Sequence, residues 1–118
     1  MSKQTIAIDF DGVLHKYSKG WHDGTIYDVP VEGSLEAVKE LSKKYDIVVF
    51  TARLANLDRD EFQKQNYQLA CWLVKHGISK YISHLTGSKP KAMIYIDDRA
   101  LHFTNWKSAL KETKERLK

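Results

Sequence analysis

The residues best suited to chemistry in this chain are carboxylates that follow apolar runs. Asp9-Phe10-Asp11-Gly12 ends one such run, Thr51-Ala52-Arg53 ends a second, and Asp97-Asp98 ends a third, with Lys89-Pro90-Lys91 just before it. Side chains alternate along an extended chain, so Asp9 and Asp11 share a side. If Asp97 comes from a neighbouring strand, three acids crowd together and each disfavours ionisation of the others. A divalent cation removes that conflict. Oxygen-only ligands suit Mg²⁺, which keeps several waters and leaves room for a substrate phosphate. Thr51 offers a hydroxyl, Lys89 a positive charge, and Gly12 a close approach of backbone N–H groups. Those are parts for holding a phosphoryl group and stabilising its transition-state charge.

Some assignments carry an alternative. Lys91 competes with Lys89, although Pro90 stiffens the approach of Lys89 and favours it. Asp98 is either a fourth metal ligand or a residue that steadies the ligands, and by itself it would read as a turn former. Arg53 either grips a substrate anion or pairs with Asp98.

The elements that must position these groups are legible as apolar runs and helical spacings. Thr5–Phe10 and Asp46–Phe50 read as buried strands, Ala92–Ile96 as another ending at Asp97-Asp98, and Ile78–Leu85 as holding a short one. Ser34 is the expected N-cap of a helix carrying Leu35, Val38, Leu41 and Tyr45. Asp58 with Glu61 resembles a capping box opening the next helix. That helix is expected to turn Phe62, Leu69, Ala70, Cys71 and Leu73 inward and to end at Gly77. A last helix over about 107–117 would face Leu110 and Leu117 inward. Trp72 and Trp106 are expected to pack. Residues 13–33, punctuated by Gly20, Gly24, Pro30 and Gly33, read as an excursion that folds back as a small hairpin flap. Its aromatics, Tyr17, Trp21 and Tyr27, either cover the core edge or stack on a substrate ring.

This order implies an α/β, Rossmann-like three-layer fold with a mostly parallel sheet. Ligands then bind beyond the carboxyl ends of the strands, where the polar residues lie.

Composition narrows the function. With 118 residues the chain suits one domain, 1–118. No apolar run has the length of a membrane span. Met1-Ser2-Lys3-Gln4 leads straight into a strand without a signal-type apolar stretch, so a cytoplasmic protein is expected. The lone Cys71 excludes an internal disulfide and any multi-cysteine metal site, and is expected to be a buried thiol. His15, His22, His76, His84 and His102 show no metal-ligand spacing, although His15 and His22 lie in the flap, where substrate contacts concentrate. The net charge of +4 favours anionic ligands but does not single out nucleic acid. Much of it lies in Lys107–Lys118, which reads as a solvated helix face or else as a phosphate-backbone contact.

Four segments, in order, resemble the motifs of the haloacid dehalogenase superfamily. Asp9-Phe10-Asp11-Gly12-Val13-Leu14 matches its first motif, D-x-D-G-[TV]-[LI]. Val49-Phe50-Thr51-Ala52-Arg53 is similar to the second, Lys89-Pro90 to the third, and Ile96-Asp97-Asp98-Arg99 to the acidic fourth. The resemblance implies a Mg²⁺-dependent phosphatase. Asp9 would be the nucleophile that forms an aspartyl-phosphate, and Asp11 the general acid and then the base. The metal would be held by the Asp9 side chain, the Asp11 backbone carbonyl and Asp97. Thr51 would bind a phosphate oxygen, and Lys89 would neutralise the nucleophile and the transferring group. Aspartate at both positions favours phosphatase chemistry, since the family's dehalogenases lack the second. The short 13–33 excursion implies a cap-less member with an open site.

The endings at Thr51-Ala52-Arg53 and Ile96-Asp97-Asp98-Arg99 also resemble the deoxyribonucleotidase-like branch. The expected substrate is therefore a nucleotide or another small phosphate ester. A polynucleotide end phosphatase and a non-catalytic phosphate-binding protein on the same scaffold are the alternatives. A signalling receiver domain is disfavoured, because its acceptor Asp ends a middle strand whereas Asp46 opens one.

Overall fold

The computed structural model describes residues 3–118. Two continuous apolar strands form its centre. β1 (Gln4–Asp9) pairs in parallel with β2 (Tyr45–Phe50) along its whole length, from Gln4↔Tyr45 to Asp9↔Phe50. β3 (His84–Thr86) adds to β2, and β4 (Ile94–Ile96) adds to the other side of β1. The sheet is four-stranded and wholly parallel, in the order β3-β2-β1-β4. With helices α1 (Ser34–Ser42), α2 (Arg59–Lys75) and α3 (Trp106–Arg116), the architecture is α/β and Rossmann-like.

The strand order decides which face is covered. From β1 to β2 to β3 the chain steps in one direction, so right-handed crossovers put α1 and α2 on the same face. Strand alternation places Ile6, Ile8, Ile47 and Val49 on that face. They form one buried cluster with Val38 of α1 and with Leu69, Trp72 and Leu73 of α2. The chain then reverses direction to lay β4 beside β1. The connection over residues 87–93 contains no helix. Ala7 and Val48 of the opposite face are nonetheless buried.

That reversal accounts for several departures from the sequence expectations. Only Ala109 of α3 is buried. Leu110 and Leu117 point to solvent rather than inward, at 56% and 80% exposure, and Trp106 is 78% exposed against Phe103 instead of packing in the core. Helical spacing reveals an apolar stripe but not whether a partner surface exists. Trp72 does pack, donating its indole N–H to the Asp28 carbonyl at 3.0 Å. On α2, Phe62 and Cys71 are exposed, both against expectation. The buried side of α2 is the narrower stripe Leu69, Trp72 and Leu73.

The helix ends show what the local chemistry achieves. Asp58 accepts the Glu61 N–H at 2.9 Å and caps α2 as expected. Gly77, at φ +75°, closes it. Its N–H reaches the Val74 carbonyl at 3.1 Å and the Ile78 N–H reaches Leu73 at 2.9 Å, a Schellman arrangement that tucks Ile78 into the core. Ser34 does not cap α1. Gly33, in the left-handed region, takes the N-cap position, and the Ser34 hydroxyl is buried without a partner. Within 78–85 a short 3-10 turn, Ser79–Tyr81, precedes β3, so the strand starts later and runs on to Thr86.

The 13–33 excursion folds back by its two arms. Lys16 N–H bonds the Val29 carbonyl at 2.9 Å and Val31 N–H bonds that of Leu14 at 2.8 Å, around an antiparallel bridge between His15 and Pro30. No described helix is long and apolar enough to cross a membrane.

Two substitutions separate local from core stabilisation. Asp58→Ala should lower unfolding free energy by about 1 kcal/mol through loss of the cap. Leu69→Ala should lower it by about 2–5 kcal/mol through transfer and cavity terms. Urea denaturation with constant m-values would check both.

Candidate active site

The site lies at the carboxyl edge of the sheet, where the strand order reverses between β1 and β4. This is the crevice in which open parallel sheets bind ligands. A cleft of about 440 Å³ opens there, and Asp9, Asp11, Thr51, Arg53, Asp97 and Asp98 all line it. The topology thus brings together carboxylates from β1 and β4 with the hydroxyl that follows β2.

Asp9 is half-buried at the end of β1 and accepts the Phe10 N–H at 2.8 Å. Burial pushes its carboxyl up from an ordinary 3.8 to about 6, and Asp97, Asp98 and Asp11 add repulsion in the same direction. Asp9, Asp97 and Asp98 each present a carboxylate oxygen, all within 4.8 Å of one another. Asp97 is steadied by the Arg99 N–H at 2.9 Å. Three carboxylate oxygens at this spacing could hold a metal ion.

Gly12 sits beneath this cluster at φ +87°, and a Cβ there would collide with the Asp98 carboxylate. Its value is therefore space for Asp98. Its own N–H is already bonded to the His15 carbonyl at 2.8 Å.

Thr51 is buried, and its hydroxyl oxygen accepts the Arg53 N–H at 3.2 Å, capping the 3-10 turn Ala52–Leu54. The hydroxyl proton remains available to a ligand oxygen. Gly87, which the sequence reading passed over, lets the end of β3 close on this turn. A Cβ there would lie 2.5 Å from the Leu54 backbone.

The Asp11 carboxylate lies apart from the three-acid cluster. Arg53 Nε–H donates to its Oδ2 at 2.7 Å, and the His15 ring bonds its Oδ1 at 2.8 Å. Arg53 therefore pairs with Asp11 and not with Asp98. Its Nη1 donates to the Gly24 carbonyl at 2.6 Å, its Nη2 is buried without a partner, and its side chain is 1% exposed. It fastens the flap to the ends of β1 and β2.

Lys89 and Lys91 do not line the cleft. The Lys89 ammonium stands 4.5 Å from the centre of the Tyr95 ring. Arg99 lines the cleft in their place. Of the flap aromatics, Tyr17 and Trp21 line the cleft, while Tyr27 packs inside the flap and donates its hydroxyl to the Gly20 carbonyl at 2.8 Å. His15 and His22 are not in the lining. His15 meets Asp11 within the local turn after β1, and its other ring nitrogen is held by the Asp28 N–H of the returning flap, which no motif in the sequence signals.

Asp9 generates a prediction for the metal-free protein. Its folded-state acid is weaker than the unfolded one, so the native state holds the proton more tightly. The stability this contributes is present below about pH 4 and is lost as pH rises through about 6. Melting temperature in chelator should fall over that window, Asp9→Asn should flatten the fall, and stabilisation by added Mg²⁺ should fade below about pH 6. A pH-independent response to Mg²⁺ would contradict this.

The chain matches no protein-family model, no curated protein and no solved structure.

Proposed function

We propose that the protein is a Mg²⁺-dependent phosphomonoesterase acting through an aspartyl-phosphate, as the resemblance of its four segments to the haloacid dehalogenase superfamily implies. The observation that supports this most is the convergence of Asp9, Asp97 and Asp98 with Thr51 and Asp11 on one cleft at the reversal of strand order.

A carboxylate oxygen of Asp9 attacks phosphorus. The new O–P bond forms as the ester O–P bond breaks, and the leaving oxygen takes a proton that the Asp11 carboxyl has first taken up from solvent. Asp11 then accepts a proton from water, which attacks phosphorus, frees inorganic phosphate and regenerates Asp9. The Thr51 hydroxyl donates to a phosphate oxygen and orients it.

The electrostatics of the cleft favour a cation. Four carboxylates line it, Asp9, Asp11, Asp97 and Asp98, against two guanidiniums, Arg53 and Arg99. Arg53 is committed to Asp11. A phosphate dianion would be repelled by what remains. Asp9, Asp97 and Asp98 would hold Mg²⁺, which supplies positive charge to the phosphoryl oxygens. Lys89 enters this reading through the resemblance alone, since its ammonium lies over Tyr95.

The cleft volume exceeds what a phosphate group alone fills, and Tyr17, Trp21 and Phe50 line part of it. Those walls suit a small ester with an apolar or aromatic leaving group, nucleotides included.

The test is hydrolysis of an aryl phosphate with and without Mg²⁺. Wild type should turn over only with the metal, and Asp9→Asn should lose at least about a thousandfold, the scale of removing a nucleophile, while its circular dichroism is kept. Turnover retained by that variant would overturn the mechanism. Mg²⁺ and phosphate binding without wild-type turnover would instead favour a binding protein.

A further inference from the structure

His15 is wholly buried, and the proposed reaction has no use for it as an acid or base. Its ring is nevertheless held at both nitrogens. The Asp28 backbone N–H donates to its Nε2 at 3.0 Å, so that nitrogen carries no proton. The ring proton therefore sits on Nδ1, and Nδ1–H donates to Asp11 Oδ1 at 2.8 Å. Phe10 stacks on the ring at 5.4 Å, and Tyr27 and Trp72 meet it edge-on at 5.3 and 5.6 Å. The backbone is held as firmly, since His15 N–H bonds the Phe10 carbonyl at 2.9 Å and its carbonyl accepts from Gly12.

We propose that His15 is a positioning residue that sets the orientation of the Asp11 carboxylate. This rests on reading Asp11 as the acid–base group. A carboxylate held at one oxygen can still swing about its Cβ–Cγ bond. A second donor on the other oxygen fixes the plane of the group. Arg53 holds Oδ2 and His15 holds Oδ1. Each oxygen keeps a further lone pair, and the fixed plane determines where those point in the cleft. A ring with one proton supplies direction without adding a second full cation beside Arg53. No proton passes through His15, because Nε2 is occupied by the Asp28 N–H.

Two substitutions separate this role from a structural one. In His15→Asn the amide nitrogen replaces Nδ1 and can still donate to Asp11. In His15→Gln the amide reaches toward the Nε2 position, so the contact with the Asp28 N–H is kept and the donor to Asp11 is lost. With Mg²⁺ and an aryl phosphate, His15→Gln should lower kcat roughly 10–100-fold, the scale seen when a partner that orients an active-site group is removed. KM should change less than about threefold, and His15→Asn should recover kcat to within about fivefold of wild type. Equal losses in both, or losses that track the melting temperature of each variant, would overturn the proposal.

A second readout needs no turnover. Nitrogen-15 NMR of the wild type should show His15 protonated at Nδ1 and bare at Nε2, and Asp11→Asn should shift the Nδ1–H signal. A proton on Nε2 would overturn the proposal. If wild type hydrolyses no ester, the reading of Asp11 as an acid–base group fails, while the NMR experiment still decides whether His15 orients it.

Discussion

A guanidinium removed from water needs partners for its donors, and Arg53 finds them for Nε and Nη1 by joining three parts of the chain, with Nη2 left without one. Its Nε donates to Asp11 beyond β1, its backbone N–H donates to the Thr51 hydroxyl oxygen after β2, and its Nη1 donates to the Gly24 carbonyl in the flap. Tyr17 and Trp21 close over its planar face, with ring centres 5.6 and 5.1 Å from the guanidinium carbon. Removing either partner of a buried pair leaves an uncompensated charge, which is far worse than never having had the pair. The flap, the turn after β2 and the orientation of Asp11 therefore stand or fall together. The cleft is the space that this arrangement leaves open.

The carboxylates divide into two groups with different surroundings. Asp9, Asp97 and Asp98 face one another with little compensation, and burial has pushed Asp9 up to about 6. Asp11 has a donor on each oxygen. The first group could hold a metal ion, whereas Asp11 is held in place by Arg53 and His15. Gly12 marks the boundary between them, since any side chain there would collide with Asp98.

The topology that makes the cleft also leaves part of the molecule thinly covered. Stepping from β1 through β3 places α1 and α2 on one face, and the reversal to β4 creates the crevice. The same reversal makes β4 an edge strand, with Ile94, Tyr95 and Ile96 partly open to solvent. The site and the exposed apolar edge are two consequences of one change in direction.

The amino-acid sequence by itself determined the central strands, because β1 and β2 are buried on both faces and so read as unbroken apolar runs. It also determined the cap at Asp58 and the stop at Gly77, where the chemistry is local. The acids, the hydroxyl and Gly12 could be placed at one sheet edge for the same reason. The tertiary structure alone decided the rest. Arg53 finds Asp11 across 42 residues of chain, and the Asp28 N–H that fixes the His15 ring comes from the returning arm of the flap. Lys89 lies away from the cleft, and Cys71, Leu110, Leu117 and Trp106 face solvent. Periodicity shows which side chains share a stripe. Whether that stripe is covered depends on where the sheet reverses, and no local pattern of residues encodes that.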